Sequence, residues 1–321
     1  MIILEYLLSA IALGMTFLYG STGEIITEKA GHLNLGIPGI MCVGAASGCL
    51  ALHHMIMANI TNGFLLVLVG IVAAFLGSAL MGLVYSFLAV TLHANQNVTG
   101  LALTTFGVGV MKFIIFGLRV GNDVPYLKAL SAFRFPFASQ DNALKYCGVM
   151  VFLAIIIALL TSWVLFGTKI GLNLRAVGEN PATADAVGIN VTAYKYLATC
   201  IGSGIAGLGG LCYVMDYAGS QEAYLSVEAL GWLAIALVIF ALWRPHISIF
   251  GSVVFGALFI AGAFIPTIIP LPFLQKMQTV PLLKMLPYVV TIIVLIVTSI
   301  RDKKENQPPA ALGLSYFREE R

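Results

Sequence analysis

Long apolar runs without charge are the feature that most restricts how this chain can fold. Residues 146–166 and 197–215 contain no charged side chain, and several other runs reach the roughly 20 residues that a helix needs to cross a hydrocarbon core of about 30 Å. The whole chain is 60% hydrophobic and 10% charged, against about 25% charged in an ordinary soluble domain. The runs are continuous rather than alternating, which argues against a transmembrane β-barrel. The sequence therefore predicts an all-α, polytopic integral membrane protein.

About nine transmembrane helices are expected from these runs. They cover residues 2–20, 36–57, 63–92, 97–118, 144–166, 195–216, 228–243, 247–269 and 284–300. The first run carries Glu5 and no basic segment before it, so it is expected to remain as a span rather than to be cleaved as a signal peptide. Gly202, Ala206 and Gly210 recur every four residues, which predicts close helix packing, either within the chain or across a dimer.

The positions of basic residues predict the orientation of the chain. Four predicted spans separate a basic group in and just after the polar stretch 167–192 from another that follows the last span, so both groups lie on one side. The first group is Lys169, Arg175 and Lys195, and the second is Arg301, Lys303 and Lys304. The positive-inside rule places that side in the cytoplasm. The N-terminus is then outside, and the loop at 119–145 is outside despite its four basic residues.

Two polar segments interrupt the apolar pattern, one at residues 20–39 and one at residues 93–100. Broken, polar backbone at membrane depth is tolerated only where protein or a water-filled cavity satisfies it, and amide side chains can hydrogen-bond a neutral polar solute. The sequence therefore predicts a solute pathway beside these segments; the alternative is that both are ordinary cytoplasmic turns. The candidate pathway residues are Glu28, Asn34, Asn95, Gln96, Asn97 and Thr99.

The polar stretch at 167–192 contains the signals of a short helix. Asn180 is a suitable N-cap, Pro181 suits the first helical position, and Gly188 suits the left-handed residue that ends a helix. A capped helix between two membrane spans is predicted to contact another protein.

Motifs for covalent chemistry are absent from the sequence. It contains no nucleophile elbow, no H-E-x-x-H and no phosphate-binding G-x-x-x-x-G-K motif. The five histidines are scattered and the five cysteines lack ligand spacing, so no catalytic residue, metal or cofactor is predicted in this chain. The net charge of +3 is too small to favour nucleic acid as a partner. Any energy source is expected to reside in another subunit.

Ordered motifs over roughly residues 10–300 resemble one known family. EKAGHLNLG at 28–36 resembles the E-K/R-A-G-x-x-N-L-G motif of bacterial ABC importer permeases of the branched-chain amino acid and simple-sugar group. NQNVTG at 95–100 is similar to the family's N-Q-x-V-S/T-G segment, and LRAVGENP at 174–181 with AVGIN at 186–190 is similar to its cytoplasmic coupling segment. VIFALWRP at 238–245 and LPY at 286–288 match further stretches. The similarity is greatest to nucleoside-type permeases that work with a lipoprotein. Pro38 and Ala241 depart from the family's usual Glu and Gly.

The resemblance implies an ABC importer permease fold, with a transmembrane domain over residues 1–300, a coupling loop at 167–192 and a cytoplasmic tail at 301–321. It implies a second permease subunit that is often a non-identical paralogue, ABC ATPase subunits that bind ATP and Mg, and an extracytoplasmic solute-binding lipoprotein, all at the bacterial cell membrane. The helix at 181–187 would lie in a groove of the ATPase. The coupling residues would be Arg175, Glu179, Asn180, Pro181, Ala184, Asp185, Gly188 and Ile189.

The solute is expected to be small, neutral and polar, with nucleosides favoured and riboflavin, a simple sugar or a branched-chain amino acid left open. A carrier coupled to ions would need ionisable residues inside its spans, for which Lys112 is the main candidate. A membrane enzyme would need a catalytic cluster that the sequence does not show. The tail at 301–321, which contains Pro308 and Pro309, is expected to be mobile.

Overall fold

Helices form nearly all of the regular structure in the computed structural model, which describes residues 2–119, 123–135, 148–268, 282–283, 285–301 and 307–317. Within those ranges, eight helices are long and apolar enough to cross a membrane, and a shorter apolar helix follows near the C-terminus. The prediction of an all-α polytopic protein is confirmed.

Twelve α-helices are numbered here in chain order over the described residues. The first six are α1 (Ile2–Lys29), α2 (Ile37–Met57), α3 (Gly63–Ser86), α4 (Gln96–Gly117), α5 (Leu130–Phe133) and α6 (Val149–Gly167). The others are α7 (Lys169–Glu179), α8 (Pro181–Ala186), α9 (Val191–Leu211), α10 (Val227–Phe240), α11 (Pro245–Ile268) and α12 (Leu286–Arg301). π-Helical turns extend α3 over Phe87–Thr91 and α9 over Cys212–Ala218, and 3-10 turns precede α5 at Pro125–Ala129 and α10 at Ala223–Ser226.

The first polar break is shorter than the sequence predicts. The predicted span ended at residue 20, whereas α1 continues to Lys29 and only residues 30–36 separate it from α2. Gly23 lies inside α1 and does not break it. Its lack of a side chain lets α1 approach α9 closely. A Cβ atom there would lie 2.2 Å from the carbonyl oxygen of Gly202 on α9.

The row of small residues on α9 packs within the chain, which confirms the prediction of close helix approach. A Cβ atom on Gly44 of α2 would lie 2.3 Å from the carbonyl oxygen of Gly207, and one on Gly210 would lie 1.9 Å from the carbonyl oxygen of Met41. Helix α9 therefore lies against the backbones of both α1 and α2 and forms the centre of the bundle.

The second polar break is also shorter than predicted. Residues 92–95 form the link, and residues 96–100 are the first turn of α4, which agrees with a predicted span that begins at residue 97. The Asn95 side chain accepts a hydrogen bond from the backbone N–H of Val98 at 3.1 Å, so Asn95 is the N-cap of α4.

The sequence analysis missed α7. Thr168 caps its start by accepting from the N–H of Gly171 at 3.2 Å, and Leu174 and Val177 are buried along one side. Ile170 and Leu172 remain exposed. The amphipathic pattern was short and was interrupted by glycine, so the stretch read as polar.

The helix ends divide between two faces of the bundle. One face carries the 30–36 loop, the 92–95 link, α7, α8 and the turn after α10, which contact one another. We call it the coupling face. On the opposite face, the backbone of Arg134 pairs with that of Gly148, and Asp216 accepts from the N–H of Met150 at 3.2 Å. Successive links between the spans alternate between these two faces, in agreement with the predicted topology. Predictions for Lys145, Cys147, Lys303 and Lys304 fall outside the described residues.

Candidate functional site

Three side chains from two other helices, α3 and α4, hold the backbone of the α1–α2 loop. The N–H of Leu33 donates to the Gln96 side-chain oxygen at 2.9 Å, and its carbonyl accepts from the Tyr85 hydroxyl at 2.8 Å. The carbonyl of Leu35 accepts from the Thr104 hydroxyl at 2.8 Å. These backbone groups of the irregular loop are therefore paired within the protein.

Asn34, a predicted pathway residue, lies fully buried inside this loop. Its Oδ1 accepts from the N–H of Gly36 at 2.9 Å, and its own N–H donates to Glu24 Oε1 at 3.0 Å. Asn34 Nδ2 and Glu24 Oε2 are buried without a hydrogen-bond partner among the described residues. An unpaired buried polar atom costs free energy, so the Asn34 amide nitrogen destabilises the loop relative to a fully paired arrangement.

Glu28 and Glu24 lie one turn apart on α1, as the sequence indicates, and their carboxyl groups lie within hydrogen-bonding distance of each other. The Trp243 indole Nε1–H donates to Glu28 Oε2. Trp243 stands in the turn between α10 and α11, where its φ is 56° and that of Leu242 is 52°. Positive φ is a strained state for bulky residues. Glu28 therefore ties the end of α1 to a strained turn.

His32 adds a buried titratable group to the loop. Thr199 Oγ1 donates to the carbonyl of Lys195 at 3.0 Å, so the same oxygen accepts from His32 Nδ1–H, also at 3.0 Å. Burial, assisted by the nearby Lys195 ammonium, lowers the pKa of His32 to about 3. The imidazole is neutral at physiological pH.

The structure separates the pathway candidates of the second break into two groups. Gln96 and Thr99 are buried, and the Gln96 amide is engaged on both sides, by Leu33 and by the carbonyl of Leu314 at 3.4 Å. Asn95 and Asn97 are exposed. Glu28, Asn34 and Gln96 therefore meet around the α1–α2 loop, whereas Asn97 lies at the start of the exposed side of α4.

The exposed side of α4 carries polar side chains that the sequence analysis did not group together. Asn97, Thr105 and Lys112 are all exposed, and their intervals of eight and seven residues place them within about a quarter turn of one another, so they form a broad row. We call it the α4 polar row. The exposed residues of α3 and α6 are apolar, as lipid-facing residues should be, and α4 also exposes apolar residues such as Phe106 and Phe113. The spacing of the three residues was a signal that the sequence contained.

Both ends of α8 are closed by the residues predicted from the sequence. The Asn180 side chain accepts from the N–H of Thr183 at 3.0 Å, and Pro181 is the first helical residue. At the other end Gly188 has a φ of 88° and donates to the carbonyl of Asp185 at 3.0 Å. The N–H of Ile189 donates to the carbonyl of Ala184 at 3.0 Å, which completes a Schellman motif.

The predicted coupling residues occupy one compact part of the coupling face. Ala184 is buried against Val177 and Val191, with Ile189 packed beside them. The Arg175 guanidinium lies 5.1 Å from the centre of the Phe166 ring. The rest of the set is exposed or half-buried, namely Glu179, Asn180, Pro181, Asp185 and Gly188. The outward side of α8 offers Ala182, Thr183, Ala186 and Val187.

A cavity of about 500 Å³ adjoins α8. The end of the π-turn after α3, the residues that follow α8 and the first turn of α9 enclose it, and its lining includes His93, Asp185, Lys195 and Tyr316. Tyr316 belongs to the C-terminal segment, which the sequence analysis expected to be mobile and to which it gave no role. The structure packs residues 307–317 on the coupling face instead.

Comparison with known proteins identifies the class of this bundle. The family model described as the permease component of a branched-chain amino acid transport system matches residues 3–296. The chain belongs to this family. It is a multi-pass membrane permease of an ABC importer, a transport component rather than an enzyme, and the family implies an ATPase and further components beside it.

Three relatives cover most of the chain. A putative glucose ABC transporter permease of Haloferax volcanii, TsgC13, is 32% identical over 94% of each chain. The nucleoside ABC transporter permease NupC of Lactococcus lactis is 30% identical over 87% of each. The guanosine ABC transporter permease NupQ of Bacillus subtilis is 27% identical over 93% of this chain and 92% of its own. No solved structure was found to match the chain.

Proposed function

We propose that this permease imports a small neutral polar solute, with nucleosides as the favoured class, using ATP hydrolysed by a separate ATPase. The observation that carries the proposal is the family match over residues 3–296 together with the doubly capped α8 on the coupling face. Two relatives named for nucleoside or guanosine transport favour the solute class. Glucose is the second candidate, because a relative named for it has 32% identity.

The proposed role of α8 is to receive movement from the ATPase. Its caps fix both ends, and Ala184 anchors it to α7 and α9, so a force on its exposed side moves it together with the helices around it. This role requires the coupling face to be cytoplasmic, with the N-terminus outside and the C-terminal segment inside, as the positive-inside rule predicts.

The proposed solute pathway runs along the α4 polar row. Lys112 is the ionisable member of this row. A charged side chain that faces lipid costs free energy, and ionisable residues within membrane spans commonly mark solute or ion pathways. Asn97 and Thr105 supply uncharged donors and acceptors suited to a neutral polar solute. We propose that a second permease subunit, which can be a non-identical paralogue, faces this row and closes the pathway, and that an extracytoplasmic lipoprotein delivers the solute to its outer end.

Uptake by vesicles that contain the permease, its partner subunits and the binding protein tests the proposal. Labelled adenosine, guanosine and glucose are supplied outside, with ATP or a non-hydrolysable analogue inside. We expect ATP-dependent uptake of a nucleoside. Uptake that persists without ATP hydrolysis contradicts the ABC mechanism, and ATP-dependent uptake of glucose alone replaces the nucleoside assignment with the second candidate.

Two variants test the coupling role in the same vesicles. Pro181→Gly removes the preset first residue of α8, and Glu179→Lys reverses a charge beside its start. Both are expected to lower the amount of solute moved per ATP hydrolysed while the spans still fold. Normal transport by a well-expressed Glu179→Lys protein would contradict the assignment of α8.

A further inference from the structure

The C-terminal segment, residues 307–317, bonds to parts of the coupling face that are far apart in the chain. Its backbone reaches α7, where the N–H of Ala311 donates to the carbonyl of Gly178 at 3.0 Å. It also reaches the α1–α2 loop, where the N–H of Gly313 donates to the carbonyl of Gly31 at 3.1 Å. Ala311 is buried by these contacts, with 6% of its surface exposed.

The segment continues to α4 and then to α8. The carbonyl of Leu314 accepts from Gln96 Nε2 at 3.4 Å, and the Phe317 ring lies 4.4 Å from the ring of His93. The Tyr316 hydroxyl donates to Asp185 Oδ2 on α8 at 3.0 Å. The segment thus connects the predicted coupling helix with Gln96 and the loop that contains Asn34.

The space between α7 and the loop is too small for any intervening side chain. A Cβ atom on Gly178 would lie 2.3 Å from the carbonyl of Lys29 and 3.2 Å from the N–H nitrogen of Gly31. The segment lies across this junction, since it is bonded to Gly178 on one side and to Gly31 on the other. Movement of α7 relative to the loop must therefore either break these bonds or carry the segment along.

Tyr316 is the side chain that fixes the segment to α8. Its ring packs on the apolar cluster of Val177, Ala184 and Val191, and its hydroxyl reaches Asp185. It also forms part of the wall of the 500 Å³ cavity beside α8. The ring and the hydroxyl therefore contact α8 in two different ways, which makes it possible to remove one and keep the other.

We propose that residues 307–317 act with α8 and the α1–α2 loop as a third part of the coupling apparatus, and that Tyr316 is a positioning residue that keeps α8 in register with the loop. This inference rests on the proposed role of α8. Displacement of α8 by an ATPase would pass through Asp185 and Tyr316 to the segment, and from there to Gly31 and Gln96. The hydrogen bonds of the segment described above all end on the loop, α7, α8 or the first residue of α4, which is what such a link requires.

The test uses the complete importer in vesicles and measures solute moved per ATP hydrolysed. Tyr316→Phe removes the hydroxyl and keeps the ring. Tyr6→Phe is the matched control, because the Tyr6 hydroxyl donates to the carbonyl of Ala257 at 2.8 Å, away from the coupling face. A chain that ends at residue 306 removes the segment entirely. We expect Tyr316→Phe to lower the transport ratio roughly three- to tenfold, the change that loss of one hydrogen bond of typical net strength can produce. ATPase activity and subunit assembly should be retained, and Tyr6→Phe should not change the ratio.

Asp185→Asn distinguishes a link from a merely stabilising contact. If the hydroxyl acts through Asp185, Tyr316→Phe should lower the ratio by a smaller factor in the Asp185→Asn background than in the wild type, and equal factors in both backgrounds would show that it does not act through Asp185. An unchanged ratio in Tyr316→Phe overturns the inference, whether or not the shortened chain assembles. If Pro181→Gly still lowers the ratio in that case, the proposed role of α8 stands without the segment. If Pro181→Gly also has no effect, both assignments fail.

Discussion

Trp243 and Glu28 are 215 positions apart in the chain, and the indole N–H of Trp243 donates to the Glu28 carboxylate inside the protein. Both side chains are buried, with 7% and 3% of their surfaces exposed. The contact joins the last turn of α1 to the turn before α11, where Leu242 and Trp243 hold positive φ. Since positive φ costs bulky residues free energy, the hydrogen bond is one of the interactions that keep the turn in this state.

Replacing Trp243 by Phe should destabilise the protein by about 1–3 kcal/mol, because the buried Glu28 carboxylate loses a donor. The measurement is denaturant unfolding in detergent micelles. Trp163→Phe is the control, since Trp163 is 64% exposed on α6 and should cost little. In the Glu28→Gln background the further loss from Trp243→Phe should be smaller, because a neutral amide needs the donor less. Equal losses in both backgrounds would show that the two side chains are not coupled.

Two glycines should respond in opposite directions to alanine. Gly23→Ala places a Cβ atom 2.2 Å from the carbonyl oxygen of Gly202, so α1 and α9 must separate, at a cost of about 1–3 kcal/mol. Gly109→Ala on α4 meets nothing within 4 Å and should be neutral or stabilising by up to about 1 kcal/mol, because alanine favours the helix. Unfolding midpoints of the two variants check this. Equal shifts would contradict the close approach of α1 and α9.

Neighbouring asparagines at the start of α4 should separate stability from transport. Asn95→Ala removes the N-cap bond to Val98 and should cost about 0.5–2 kcal/mol of stability. Asn97→Ala, on the α4 polar row, should leave stability unchanged and raise the KM for the solute roughly three- to tenfold, as expected when a neutral hydrogen bond is lost. The measurements are the KM for uptake and the free energy of unfolding, both taken on the same preparations of each variant. An unaltered KM in Asn97→Ala would remove this residue from the pathway.

His32 should make the protein sensitive to acid. Burial lowers its pKa from 6.5 to about 3 in the folded state, so the unfolded chain binds the proton more readily and stability falls as the pH drops below 6.5 toward 3. The expected loss between pH 8 and pH 5 is roughly 2 kcal/mol from this group. Other groups also titrate in this range, so the test is the difference between the wild type and His32→Gln. The variant should show a shallower decline, and identical declines would contradict the lowered pKa.

Features carried by neighbouring residues could be predicted from the sequence. The apolar runs predicted the spans, and the caps of α8 were correctly assigned to Asn180, Pro181 and Gly188, because a cap depends on contacts within one or two turns. The small residues of α9 predicted close packing for the same kind of reason, since a side chain that small leaves a helix surface open.

Features that depend on distant residues could not be predicted in this way. The sequence by itself determined the membrane bundle, its family and the caps of α8, because span length, motif order and cap chemistry are all local. Only the tertiary structure decided that Glu28 meets Trp243 and that Gln96 serves the α1–α2 loop. It likewise decided that the C-terminal segment reaches α8 through Tyr316. The physical reason is that a hydrogen bond between residues hundreds of positions apart leaves no trace in local composition or periodicity; it exists only after packing has brought the partners within about 3 Å.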